Sequence, residues 1–537
     1  MNTLLVYPPK TTKYNNANEY SKLGFSIGLA YIAAFVNKTS QHNADIIIAP
    51  YQRKTKEDIL QWITDKKIDL LGISVIQEDA HDAFALALFV KQNKPLIHIT
   101  IGGQYPSQDY SNILTNCWFV DSVVCGEGEY PMVDLLDALS CQAPIDNISG
   151  LAYRDNDGEV QNNPYGRICN LDKLPFPIDE ISKVDDLRTK IRIDVSAQRG
   201  CYGNCIFCSI VAFYKNTGIR RRSPKNVVDE IEVYYRNYNR NEFCFIDDDF
   251  IDTSIESSKW IEEFCKEVQK RGLTIKFDMV MRANDCDIDS LKQLVDIGLD
   301  GVGMGVESFS PSVLKRMNKN ITLKDITESI RICRQLGLPL GLGFIMFEPD
   351  LTFAELRTNI RFLNQYGFFA PTHFYNNMKA YVGTPLRERL IKEKRLKLNE
   401  WYDVGFYDFQ DNRVQFVWDN MDVFKPYLFD IEDRHSVLID LLKSKLSSFC
   451  KATYTNRRLE YETIKIAIQH NNRMEVEKKN ICTFILNELV RLAGDLQTAS
   501  KDIKLLSLQH KVRYDEINKN LIVLKAIITS IREYSHE

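Results

Sequence analysis

Three cysteines fall within eight residues in the segment Ser196-Ala197-Gln198-Arg199-Gly200-Cys201-Tyr202-Gly203-Asn204-Cys205-Ile206-Phe207-Cys208-Ser209. Thiolates are the natural ligands of iron–sulfur clusters. The spacing of Cys201, Cys205 and Cys208 in one short loop can bring them to three corners of one cube. The fourth iron is then left without a protein ligand, and an open metal position is what a substrate-activating site needs. Gly200 and Gly203 allow the tight backbone of such a loop. Arg199 places positive charge beside an anionic cluster, or is a solvated loop charge. The alternative is a zinc knuckle, which wants a fourth Cys or His nearby; the nearest histidine after the loop is His373. The other ten cysteines are scattered and read as small buried hydrophobes.

The loop needs a scaffold, and the segment Ile191–Ala197 just ahead of it reads as a buried strand. Further strand candidates follow at Phe243–Asp247, Thr274–Val280, Gly301–Glu307, Leu340–Ile345 and His373–Met378, with amphipathic helical segments between them. Six such units predict a partial (β/α)6 TIM-type barrel over 187–389, with its chemistry at the carboxyl ends of the strands. Ahead of it, strand candidates at Leu4–Tyr7, Asp45–Ile48, Leu70–Val75, Ile97–Ile101 and Ser122–Cys125 alternate with helices. That pattern predicts a doubly wound, Rossmann-like α/β domain over 1–142, with its ligand at the strand carboxyl ends. Residues 143–186 read as a linker with a small hairpin. A helical C-terminal domain is expected over 390–537, with helices at Ile431–Phe449, Arg458–His470, Arg473–Leu496 and a broken last one at Ala499–Ile531.

Hydrophobic residues make up 44% of the 537 residues, enough for real cores. A net charge of −4 argues against a general nucleic-acid or membrane surface. No apolar run approaches the roughly 18 residues of a membrane span, and the N-terminus Met1-Asn2-Thr3-Leu4-Leu5-Val6 lacks the features of a signal peptide. A cytoplasmic protein with reduced thiols is expected.

The Cys-x3-Cys-x2-Cys loop, with the aromatic Phe207 before its third cysteine, resembles the signature of the radical S-adenosylmethionine superfamily. The resemblance implies a 4Fe–4S cluster on the three cysteines, chelation of S-adenosylmethionine by the open iron, and release of a 5′-deoxyadenosyl radical on reduction. It places Phe207 at the cofactor and makes Asp247 and Asp248, after the second barrel strand, acceptors for the methionine amino group. Helix capping is the other reading of those two. Glu307, after the fourth strand, falls where the ribose or methionine moiety is contacted. The run Arg220-Arg221-Arg222 meets the carboxylate or is a solvated basic loop.

The first domain is similar to the cobalamin-binding domain of cobalamin-dependent radical enzymes, through Leu5-Val6-Tyr7-Pro8-Pro9, Gly28-Leu29-Ala30, Gly102-Gly103-Gln104 and Gly126-Glu127-Gly128-Glu129. Gly102, Gly103, Gln104, Gly126 and Glu127 are thereby implied as cobalamin contacts. The Asp-x-His-x-x-Gly motif of other cobalamin proteins is absent, which is usual in the radical subfamily. The loop Ile76-Gln77-Glu78-Asp79 is then expected under cobalt, through Gln77 and Glu78, and His81 reads as a helix-face residue. Together these features imply a methyltransferase acting on an unactivated carbon of a small molecule, with a peptide as the second choice. A cobalamin-dependent cyclase and a non-catalytic sensor stay open as alternatives. A flavodoxin, ferredoxin or reductase is the implied electron donor. The aromatics Phe374, Tyr375, Trp401, Tyr402 and Trp418 read as core or as part of the substrate mouth.

Overall fold

Short apolar runs buried on both faces build the first sheet, as parallel strands covered by helices must. The computed structural model describes residues 1–10, 26–184, 192–214, 218–368, 373, 375–451, 458–494 and 499–531. The strands in chain order are β1 (Asn2–Tyr7), β2 (Asn43–Ile48), β3 (Leu70–Ser74), β4 (His98–Gly102), β5 (Ser122–Val124), β6 (Leu151–Arg154) and β7 (Val160–Asn162). They form one sheet in the order β2-β1-β3-β4-β5-β6-β7, parallel through β5 and antiparallel after it. The expected hairpin is therefore more than a linker ornament. Asp155 accepts the backbone N–H of Asp157 and Glu159, and the turn it closes adds two strands to the sheet edge.

A second sheet follows: β8 (Ile193–Val195), β11 (Glu242–Phe245), β12 (Lys276–Arg282), β13 (Leu299–Glu307) and β14 (Leu340–Phe344), in the order β14-β13-β12-β11-β8. Two short strands, β9 (Gln198–Arg199) and β10 (Arg220–Arg221), pair antiparallel and bracket the cysteine loop. Phe245, Phe250, Phe264 and Phe277 pack edge-on or tilted behind the second sheet and fix its strand ends. The helix Pro224–Tyr238 starts as its sequence predicts, with Ser223 capping the Asn226 N–H at 3.2 Å and Pro224 in the first turn.

The expected sixth barrel strand at His373–Met378 is not a regular strand in its described residues. Among the described residues only a single bridge, Phe347 to Asn377, stands there; Phe374 lies outside them. Asn376 takes the Met346 N–H on its carbonyl and donates its side chain to the Phe344 carbonyl at 2.5 Å, so its own amide closes the ladder. The C-terminal helices run Lys425–Lys451, Arg458–Ala493 and Ala499–Ser530. The break expected between His470 and Arg473 is absent, because Asn471 stays helical and bonds the buried His435 at 2.9 Å. The last helix is likewise continuous. No described helix is long and apolar enough to cross a membrane.

The chain forms two units. The first comprises Met1–Val306, Leu314–Gly343 and Lys379–Tyr407, and so holds both sheets up to the ends of β13 and β14. The second comprises Glu307–Val313, Phe344–Met378 and Asp408–Glu537, and is mostly helical.

Candidate functional site

The cysteine loop hangs from the carboxyl end of β8 and is shaped by its neighbours. Asp247, buried at the end of β11, accepts the backbone N–H of Ala197 (3.0 Å) and Gln198 (2.9 Å) and the Ser196 hydroxyl (3.1 Å). Gly200 takes φ +93°, and a side chain there would meet the Gly218 carbonyl at 2.6 Å, so only glycine lets the chain turn toward Cys201. The loop is held from outside by bonds from Ile206 N–H to the Met317 carbonyl (3.1 Å) and from Leu386 N–H to the Ile206 carbonyl (3.0 Å). Cys205 is buried, and Cys201 and Cys208 are half-buried; all three are free thiols. Phe207 is half-buried in the same loop.

Several observations fit these thiols to a cluster. Gly203 N–H points at the Cys201 sulfur (3.3 Å), and the Arg282 guanidinium points at the Cys205 sulfur (3.8 Å). Donors aimed at ligand sulfurs are a usual second layer around such centres. Burial pushes the Cys201 thiol up to about 12, with Asp249 adding to the rise, and burial raises Cys208 as well. Metal charge is what would hold these sulfurs as thiolates. Among the described residues no three Cys, His, Asp or Glu side chains converge to hold a single metal ion. Asp249 and Arg282 were missed in the sequence. The one available signal was a lone charge ending the apolar run Met279-Val280-Met281-Arg282.

The aspartates after β11 divide their work. Asp247 is spent on the turn it clamps, and burial pushes it up to about 7 against the pull of its donors. Asp248 is half-buried, accepts the Gly200 N–H, and is pushed up to about 6 by burial. Glu307 ends β13 at φ +63°, and its carbonyl accepts the Ile345 N–H at 2.9 Å. The arginine run is neither solvated nor waiting for a carboxylate ligand: Arg220 pairs with Glu127 (2.7 Å), Arg221 with Asp252 (2.6 Å) and Arg222 with Glu230 (2.5 Å).

One cavity of about 340 Å³ joins the two sheets within the first unit. On one side it is lined by Gly28, Gly102, Gly103 and Gln104, and on the other by Arg199 and Asp248. Its walls suit a large flat ligand approached closely by backbone. Gly103 has φ +116°, with the Val75 carbonyl 2.7 Å from where a Cβ would stand, and a Cβ on Gly28 would meet nothing within 4 Å. Gly126 has φ +79° and packs against the Tyr165 ring. Glu127 lines it too but is committed to Arg199 (2.8 Å), Arg220 (2.7 Å) and the Ile168 N–H (2.7 Å). Burial alone would raise Glu127, yet Arg220 and Arg199 hold it below the usual carboxylate range.

The loop after β3 is similarly engaged. The Gln77 amide spans the Asp403 carbonyl (2.9 Å) and the Val382 N–H (2.9 Å), and Glu78 accepts the Tyr381 hydroxyl. Glu78, Gln104, Ser209 and Tyr381 line a smaller pocket of about 180 Å³. His81 is on the helix face, bonded to the Tyr402 hydroxyl at 3.1 Å, and does not line either cavity. Trp401 and Tyr402 pack on Phe84, and Trp418 on Phe347 and Phe409.

Comparison with known proteins adds to this geometry. Residues 195–363 match the model of the radical SAM superfamily, and residues 17–136 match that of the B12-binding domain. A methyltransferase of Pyrococcus horikoshii, itself uncharacterized, is 28% identical over 75% of this chain and 85% of its own length. The anaerobic magnesium-protoporphyrin IX monomethyl ester cyclase of Rubrivivax gelatinosus is 28% identical over 59% of this chain and 58% of its own. The cobalamin-dependent S-adenosylmethionine radical enzyme OxsB shares the fold, with a TM-score of 0.71 over 99% of this chain and 82% of its own, at 19% identity. With the two domain models in tandem on one chain and the fold of OxsB around them, this chain belongs to the cobalamin-dependent radical S-adenosylmethionine enzymes, whose cofactors are a 4Fe–4S cluster, S-adenosylmethionine and cobalamin.

Proposed function

We propose that this enzyme is a methyltransferase that acts on an unactivated carbon of a small-molecule substrate. The observation that carries the reading is the shared cavity, in which Gly102, Gly103 and Gln104 at the end of β4 and Arg199 and Asp248 beside the cysteine loop line one space. Cys201, Cys205 and Cys208 would hold a cluster able to supply an electron to S-adenosylmethionine, and the cavity lined by Gly102, Gly103 and Gln104 would hold part of a cobalamin able to carry a methyl group. The shared space brings a radical source and a corrinoid site together, as methyl transfer requires.

The chain's own residues have definite tasks in this scheme. Gly200 and Gly203 let the three thiols gather in one loop, and Asp247 fixes the turn before it. Asp248 offers a carboxylate to the ammonium of the methionine moiety. Burial alone shifts it toward the neutral acid, and a cation beside it would restore the charge. The partly enclosed walls keep water from a reactive intermediate. The methyltransferase relative aligns with more of this chain than the cyclase does, which supports methyl transfer over ring formation. The cyclase keeps ring formation as the alternative. The electron comes from an external one-electron donor of the flavodoxin or ferredoxin class.

The test is anaerobic reconstitution with iron, sulfide and hydroxocobalamin, followed by a strong reductant and methyl-deuterated S-adenosylmethionine. The expected result is 5′-deoxyadenosine together with deuterium on the extracted corrinoid, the 5′-deoxyadenosine being lost in the Cys201→Ala/Cys205→Ala/Cys208→Ala variant. Cysteine-dependent 5′-deoxyadenosine with bound corrinoid that never gains the label would overturn methyl transfer in favour of ring formation.

A further inference from the structure

The geometry points to Arg282 as the positioning residue that sets the reduction potential of the cluster. The inference rests on Cys201, Cys205 and Cys208 as cluster ligands and is independent of methyl transfer. Arg282 ends β12 and is 5% exposed. Its Nη1 lies 3.8 Å from the Cys205 sulfur, and its Nη2 donates to the Lys319 carbonyl. The guanidinium carbon sits 5.1 Å from the centre of the Tyr202 ring, which is in the same cysteine loop. Its backbone N–H donates to Asp249 (3.2 Å), whose other oxygen is 3.6 Å from the Cys201 sulfur. Nε is 3.9 Å from Asp285, a carboxylate already accepting the Tyr202 hydroxyl at 2.5 Å.

The loop is shaped to admit this guanidinium. A Cβ on Gly203 would stand 2.5 Å from Nη1, so any larger residue pushes the charge away from the sulfur. Guanidinium keeps its proton at any working pH. A fixed cation in hydrogen-bond reach of a ligand sulfur stabilises the cluster more after it has gained an electron than before. Asp249 and Asp285 face the same guanidinium and offset part of its field, but neither makes its bond to Cys205. Arg282 therefore raises the potential, bringing the cluster within reach of a one-electron donor.

The experiment is potentiometric titration of the reconstituted protein with dithionite, read by the electron paramagnetic resonance of the reduced cluster, with no substrate or cobalamin present. In Arg282→Gln the ratio of reduced to oxidised cluster at a fixed potential should fall about tenfold, a shift of about 59 mV for a one-electron couple. Arg282→Lys should keep most of the wild-type value. Gly203→Ala should shift in the same direction as Arg282→Gln, through displacement of the guanidinium, and decides the matter if Arg282→Gln loses its cluster. Wild-type potentials in both Arg282→Gln and Gly203→Ala, or a Lys variant falling as far as Gln, would overturn the proposal. Survival of the resonance in the triple cysteine variant would instead overturn the ligand set on which it rests.

Discussion

Asp247 illustrates how a buried carboxyl can organise a loop at the expense of its own charge. Its donors in Ser196, Ala197 and Gln198 favour the ionised form, but burial outweighs them and carries it to about 7. An unfolded aspartate titrates near about 3.9. Between these values the folded protein holds more protons than the unfolded chain, so stability falls as pH rises through that window. Thermal unfolding of the cluster-free protein at about pH 4.5 and about pH 7.5 should show this fall. The fall should be smaller in Asp247→Asn, which cannot ionise. Equal falls in the two proteins would assign the titration to another group, first of all Asp249, which burial pushes up to about 8. The three cysteines were legible because their chemistry is local, complete within eight residues. Asp249 and Arg282 were not, because the sequence does not say that the ends of two other strands converge on those sulfurs.

At the scale of elements, the strand and helix order was legible because buried parallel strands read as short apolar runs between amphipathic helices. The ties between elements were not. Arg199 in β9 reaches Glu127 and Glu129 at 2.8 and 2.5 Å, and Arg220 in β10 grips Glu127 as well. These partners are 70 to 93 residues apart in the chain, and no spacing rule reports them. The loop after β5, which lines the cavity, is thus bolted to the two strands that bracket the cysteines. All four side chains are 15% exposed or less, so the network cannot be dismissed as a screened surface pair. Glu127→Ala leaves buried guanidinium charge uncompensated and should cost about 3–5 kcal/mol in denaturant unfolding. Its iron retention after reconstitution should fall in parallel. A loss below about 1 kcal/mol, the range of exposed pairs, would mean that the network does not hold these elements together.

At the scale of the molecule, the cavity is space that the polypeptide has not filled for itself. Its lining forgoes packing contacts that a bound group restores. Hydroxocobalamin at a hundred times its dissociation constant should add about 2.7 kcal/mol to the unfolding free energy. Gly28 separates the stability of the polypeptide from that of its complex. It lies in the helix Ile27–Thr39, lines the cavity, and has nothing within 4 Å of where a Cβ would stand. Leucine there gains helix propensity of up to about 1 kcal/mol over glycine and puts an apolar side chain into the space a corrinoid would occupy. Gly28→Leu should therefore unfold at or above the wild-type temperature when free of corrinoid, yet gain nothing from hydroxocobalamin and emerge colourless at the corrinoid bands after desalting. Its cluster should still form, and it should still release 5′-deoxyadenosine, because the cysteine loop is untouched. If the variant instead keeps stoichiometric corrinoid and the full thermal shift, the cavity is not the seat of that cofactor, and the argument that the two sites share one space fails with it.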